Sequence, residues 1–93
     1  MTVARNVLVT GGAGFIGANF VRYWSDRYPD DQIVVLDALT YAGNLANLES
    51  VADRENYRFV HGNILDHAVI DAVMRDQDID TIVHFAAESH VDR

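Results

Sequence analysis

The 93-residue sequence predicts an α/β fold, a doubly wound parallel sheet of four strands with about three helices. Three observations lead there. Short runs rich in β-branched and aromatic residues recur along the chain, and segments with apolar residues at helical spacing separate them. In addition, Ile33-Val34-Val35-Leu36 is continuously apolar, as suits a parallel strand covered on both faces.

The strand runs are Asn6 to Thr10, Ile33 to Asp37, Tyr57 to His61 and Thr81 to Ala86. The first, second and fourth are continuous rather than alternating, so each is expected to be buried on both sides. Ile16, Phe20 and Trp24 repeat at i, i+4 and i+8, and Pro29, Asp30 and Asp31 close that helical segment. Leu45, Leu48 and Ala52 mark a shorter helix. Val69, Ile70, Val73 and Met74 mark a third, with Asp66 placed to cap its start. The order β-α-β-α-β-α-β with short connections implies right-handed crossovers and the strand order 3-2-1-4. Strand order then reverses between the first and fourth strands, which opens a crevice at their carboxyl ends.

Composition narrows the partners. The chain is 49% apolar and 23% charged, the balance of a soluble globular domain, and its length allows one small domain at most. A net charge of -7 repels polyanions, which argues against nucleic acid and anionic membranes as main partners. Without cysteine there is no disulfide framework or thiolate ligation, and nothing argues for secretion. His61, His67, His84 and His90 form no H-x-x-x-H pair, so no metal site is expected. The run Val7 to Val9 is too short for a signal segment or a membrane span, and a cytoplasmic location is the expectation. All seven basic residues are arginine, so a bound phosphate must be held by backbone groups and dipoles and not by lysine.

The turn after the first strand reads "TGGAGFIG", Thr10 to Gly17. It carries G-x-G-x-x-G at Gly12, Gly14 and Gly17, and G-x-x-G-x-x-G at Gly11, Gly14 and Gly17. Glycines here permit a tight turn, a close approach of backbone to a pyrophosphate, and close packing of the following helix on the strand. The helix N-terminus supplies free N–H groups and a positive dipole end. Asp37 follows Gly17 by 20 residues and ends the second strand, where a carboxylate accepts from ribose hydroxyls and repels a 2'-phosphate. The pattern is that of a Rossmann-type dinucleotide site selective for NAD over NADP, and no arginine at Ala38 or Leu39 stands ready for the extra phosphate. On position alone, Asp37 also fits an ordinary polar residue ending a strand.

Together "VTGGAGFIG", "DALTYAGN" and "FAAESHVDR" resemble the extended short-chain dehydrogenase/reductase family and, within it, the dTDP-glucose 4,6-dehydratases. The resemblance runs from Val9 to Arg93. It implies that Gly11, Gly14, Phe15, Ile16 and Gly17 line the NAD pyrophosphate, and that Asp37, Leu39, Thr40 and Gly43 surround the adenosine ribose and its phosphate. Asn63 and Ile64 would flank adenine. The family usually has aspartate at position 63, and asparagine can still accept from the adenine amino group through its amide oxygen. Phe85, Ala86 and Ala87 would pass beside the nicotinamide end, and Ser89, His90 and Val91 would approach the sugar nucleotide. Other readings stand beside these: Ser89 and Asp92 also suit the capping of a following helix, Glu88 and Arg93 a surface ion pair, Tyr41 a half-buried loop aromatic, and His84 a packed core histidine.

The implied reaction is oxidation of a hexose at C4, loss of water across C5 and C6, and reduction at C6, which yields a 4-keto-6-deoxy sugar nucleotide. The family's base is the tyrosine of Tyr-x-x-x-Lys, and a chain without lysine cannot contain that motif. Its closest spacing match, Tyr23-x-x-x-Arg27, lies on the first helix away from the crevice. No catalytic residue is therefore assigned. Residues 1–93 are expected to be the N-terminal part of the NAD-binding domain of such a dehydratase, inactive alone, with dTDP-glucose as substrate and a homodimer as the whole protein's state. The fourth strand's free edge, with Ile82, Val83 and Phe85, is expected to favour self-association unless covered. An epimerase or another dehydratase of the extended family, and a non-enzymatic dinucleotide-binding module, are the alternatives.

Overall fold

The computed structural model describes residues 4–39 and 45–85. Thr40, Gly43, Ala86, Ala87, Ser89, His90 and Val91, like Tyr41, Glu88, Asp92 and Arg93, lie outside the described residues. The elements are β1 (Asn6–Thr10), α1 (Phe15–Arg27), β2 (Gln32–Asp37), a 3₁₀ segment (Leu45–Val51), β3 (Tyr57–His61), α2 (His67–Asp76) and β4 (Thr81–His84). All strands are parallel in the order β3-β2-β1-β4, as predicted. β4 ends two residues before the sequence expectation, although the Phe85 N–H still donates to the Thr10 carbonyl (2.8 Å).

Side-chain alternation along β1 and β2 builds a core on each face of the sheet. Val7, Val9, Ile33 and Val35 point to the face covered by α1 and the 3₁₀ segment, through Ala18, Val21, Leu48 and Val51. Leu8, Val34 and Leu36 point to the other, where Val73 of α2 covers them with Val69, Ile70 and Met74 at the margin. Each fully buried valine or leucine side chain contributes about 1.5–3 kcal/mol of transfer free energy, which concentrates stability in these two central strands.

Three local expectations need correction. α1 buries Gly17, Ala18, Val21 and Ser25, while Ile16 is 54% exposed and Phe20 and Trp24 only flank the core. The contact line is made mostly of small residues, Gly17, Ala18 and Ser25 beside Val21, which lets the helix lie close to the sheet. The second helix is 3₁₀, with three residues per turn, so Leu48 is followed on its buried side by Val51 and not by Ala52. β4 is not buried on both faces: Val83 packs on the first core, whereas Ile82 is 54% exposed.

At the amino end of β2 the chain ties itself together. The buried Asp31 carboxylate accepts from the Arg5 main-chain N–H (2.8 Å), Arg5 Nε (2.9 Å) and Trp24 Nε1 (2.8 Å). The Arg5 guanidinium also lies over the Trp24 and Tyr28 rings, 4.9 and 4.6 Å from their centroids.

Candidate functional site

Four parallel strands end on one edge of the sheet, and the residues that follow each end meet there. The turn after β1 is shaped by its glycines. Gly11 has φ 73°, a left-handed value that glycine adopts without a Cβ clash, and its N–H donates to the Leu36 carbonyl (2.8 Å). The Gly14 N–H closes the turn on the Gly11 carbonyl (3.3 Å). A Cβ at Gly17 would stand 2.5 Å from the Gly11 carbonyl oxygen and 2.9 Å from Gly12 Cα. Both obstacles are backbone, so they cannot swing aside, and any side chain there pushes α1 off the turn. A Cβ at Gly12 would meet Val35 Cγ1 at 2.7 Å.

α1 begins at this turn with Gly14 as its N-cap, no capping side chain and no acidic residue in the first turn. Its leading N–H groups and the positive end of its dipole are thus left for an anion. Phe15, 75% exposed, and Ile16 stand outward beside it.

Asp37 closes β2 against the same turn. Its Oδ2 accepts from the Ala13 N–H (2.9 Å) and its Oδ1 from the Leu39 N–H (2.7 Å). Leu39 adopts a left-handed φ of 57°, uncommon for a branched apolar residue, and the bond to Asp37 two residues back helps hold it there. An ionised carboxylate has about four acceptor positions. Among the described residues, one on each oxygen is used to fix the group's orientation, and one on each is left that a vicinal hydroxyl would fit.

β3 joins the edge through the Gly62 N–H, which donates to the Asp37 carbonyl (3.1 Å), and through His61 Nε2, 3.0 Å from the Ala38 carbonyl oxygen. Beyond it, Asn63 Oδ1 accepts from the Leu65 N–H (2.8 Å) and the Asn63 carbonyl from the Asp66 N–H (2.9 Å). That tight turn fixes the amide orientation, with oxygen toward the backbone. Ile64 is half-buried next to it. On the opposite side of β1, Phe85 packs against Phe20 with ring centroids 5.5 Å apart. The described candidates Gly11, Gly14, Phe15, Ile16, Gly17, Asp37, Leu39, Asn63, Ile64 and Phe85 therefore all lie at or after strand ends on one edge. Tyr23 is exposed, and Arg27 stacks 5.2 Å from the Tyr28 ring.

Three residues are tied to this edge by bonds that the sequence does not predict. His84 is exposed and its Nδ1 lies 2.5 Å from Thr10 Oγ1, so it pairs with the start of the glycine turn instead of packing in the core. Asn47 Nδ2 donates to the Ala13 carbonyl (2.8 Å). Arg22 Nη1 donates to the Asn47 carbonyl (2.7 Å), and Arg22 also bonds the Asn19 side chain. Only the i, i+3 spacing of Asn19 and Arg22 was a usable signal. Among the described residues no group of three or more His, Cys, Asp or Glu could hold a metal ion, and no helix is long and apolar enough to cross a membrane.

Comparison with known proteins places this geometry. A low-salt glycan biosynthesis protein of Haloferax volcanii is 59% identical over 88 residues, covering 95% of this chain and 27% of that protein. A dTDP-glucose 4,6-dehydratase of Streptomyces niveus is 54% identical over 91 residues, covering 94% of this chain and 26% of the relative. The crystal structure of dTDP-glucose 4,6-dehydratase from Bacillus anthracis in complex with NAD superposes with a TM-score of 0.89 at 51% identity, covering 92% of this chain and 28% of that one. The chain thus spans about a quarter of the length of the curated relatives it matches. The family model for GDP-mannose 4,6 dehydratase matches residues 8–93, nearly the whole sequence. The chain belongs to the GDP-mannose 4,6 dehydratase family.

Proposed function

We propose that this chain is the N-terminal, NAD-binding part of a dTDP-glucose 4,6-dehydratase. The observation that carries the reading is the uncapped start of α1 behind the glycine turn, faced by a carboxylate already oriented to accept two hydroxyls. A relative of the same fold is crystallised with NAD, and relatives at 54% and 51% identity are named for dTDP-glucose.

In this reading the first N–H groups of α1 bind the pyrophosphate, with Gly11, Gly14, Phe15, Ile16 and Gly17 around it. Asp37, with Leu39, Thr40 and Gly43, holds the adenosine ribose and disfavours a 2'-phosphate by charge repulsion. Asn63 and Ile64 flank the adenine. Phe85, Ala86 and Ala87 flank the nicotinamide end, and Ser89, His90 and Val91 approach the sugar nucleotide. NAD, when bound, supplies hydride acceptance and return. The whole protein's reaction is oxidation at C4, elimination of water across C5 and C6, and reduction at C6, a lyase step that serves deoxysugar biosynthesis. The base for the C4 hydroxyl comes from a Tyr-x-x-x-Lys that these residues, lacking lysine, do not contain. A cytoplasmic homodimer completes the proposal, and the family resemblance is what supports it.

The test offers dTDP-glucose and GDP-mannose in turn, with NAD+, to a form of the protein spanning the full length of its relatives and to the 93-residue chain. The longer form is expected to convert dTDP-glucose in preference to its 4-keto-6-deoxy product, and the shorter to convert neither. Preferential use of GDP-mannose would replace the substrate, and turnover by the shorter chain would overturn the division of labour.

A further inference from the structure

The peptide joining Ala13 to Gly14 leads into the N-cap of α1, and its orientation sets the shape of the turn from which the helix's first N–H groups are presented. Glycine at position 14 makes that peptide easy to flip. A flip would carry φ of Gly14 from its observed -72° into positive values, which glycine tolerates and other residues resist. The structure restrains it at both ends. The Gly14 N–H donates to the Gly11 carbonyl at a long 3.3 Å, while the Ala13 carbonyl accepts a 2.8 Å bond from Asn47 Nδ2. A flip would turn the Ala13 carbonyl away from Asn47 and toward the Gly11 carbonyl oxygen that the Gly14 N–H now faces, setting two acceptors against each other. The N–H of Ala13 is held separately by Asp37 (2.9 Å).

Asn47 is well placed to serve as a lock because it is anchored independently of its side chain. Its main-chain carbonyl accepts from Arg22 Nη1 (2.7 Å), which ties the 3₁₀ segment to the middle of α1. Replacing the Asn47 side chain leaves that main-chain tie intact and removes the bond to Ala13.

We propose that Asn47 is a positioning residue for the cofactor: its amide locks the Ala13–Gly14 peptide so that the N-terminus of α1 is presented to the pyrophosphate. The inference rests on the NAD-binding reading and adds a residue that the cofactor does not touch. It differs from a purely structural role in what it should discriminate. A locked phosphate turn matters to NAD+, whereas adenosine, which carries no phosphate, depends on Asp37 and the ends of β2 and β3.

The experiment titrates NAD+ and adenosine against the wild-type protein, Asn47→Ala and Asn47→Asp, with thermal unfolding of each. Asn47→Ala is expected to weaken NAD+ about tenfold, the loss of about one good hydrogen bond, and to leave adenosine within about twofold. Asn47→Asp keeps the shape but sets a carboxylate oxygen against the Ala13 carbonyl, and its loss for NAD+ should be larger. If Asn47→Ala does not fold, the Asn47→Asp ratio of NAD+ to adenosine affinities decides. Unchanged NAD+ affinity in the variants, or equal losses for NAD+ and adenosine, overturns the proposal while wild-type binding preserves the parent reading. Failure of the wild-type protein to bind NAD+ overturns both.

Discussion

Two helices start on the same edge of this sheet, and they treat their exposed N–H groups in opposite ways. α2 is capped by Asp66, whose Oδ1 accepts from the N–H groups of Ala68 (3.1 Å) and Val69 (3.3 Å). α1 starts from a glycine with no capping side chain and no acidic residue in its first turn. The first solution satisfies the helix from within the chain. The second leaves a positive, donor-rich terminus with no capping side chain among the described residues, a terminus suited to an anionic ligand. The two ends of β2 repeat the contrast: Asp31 is buried and spends its oxygens on Arg5 and Trp24, while Asp37 uses part of its capacity on the turn and keeps part open.

The comparison can be broken most severely at Gly17. Gly17→Ala puts a methyl group 2.5 Å from the Gly11 carbonyl oxygen, and α1 must shift away from the turn. A cost of about 1–3 kcal/mol in stability is expected, together with loss of measurable NAD+ binding by calorimetry. The next substitution gives α1 the solution that α2 uses. Gly14 has φ -72° and ψ 170°, extended backbone that any residue adopts, so Gly14→Asp fits without strain. It should raise or hold stability by up to about 1 kcal/mol in urea unfolding while weakening NAD+ about a hundredfold, because a carboxylate then occupies the phosphate's place. The reciprocal change, Asp66→Ala, should cost about 1 kcal/mol of stability and leave NAD+ affinity within about twofold.

The smallest effect lies at the far end of the sheet. Burial pushes the Tyr57 hydroxyl, at the amino end of β3, above its ordinary value of 10.0. Because the folded chain favours the neutral phenol, this contribution is fully present below about pH 10 and is lost as pH rises through the raised value. Urea unfolding between pH 8 and 11 should show a steeper alkaline decline in the wild type than in Tyr57→Phe.

Features set by local chemistry were legible in the sequence. The glycine turn, the Asp66 cap, the strand runs and the order β3-β2-β1-β4 each follow from a few adjacent residues or from a chirality rule. What was not legible depends on separation or on close approach. Asn47 reaches Ala13 across 34 positions, and His84 reaches Thr10 across 74, with nothing in their neighbourhoods to mark either. The buried line of α1 runs through Gly17, Ala18, Val21 and Ser25, and hydrophobic periodicity passes over it because Gly17 and Ser25 carry none of that signal and Ala18 little. Similarly, choosing Ala52 over Val51 assumed a period of 3.6 where the chain takes 3₁₀ turns.

Whether the open helix start and Asp37 together form an NAD site is tested directly by a paired titration. NAD+ and NADP+ are titrated by calorimetry against the folded wild-type chain and Asp37→Ala. NAD+ is expected to bind, NADP+ to bind at least about tenfold more weakly, a gap of about 1.4 kcal/mol, and Asp37→Ala to erase the preference. A folded chain that binds neither dinucleotide, or one that binds both equally and is indifferent to Asp37→Ala, would contradict it.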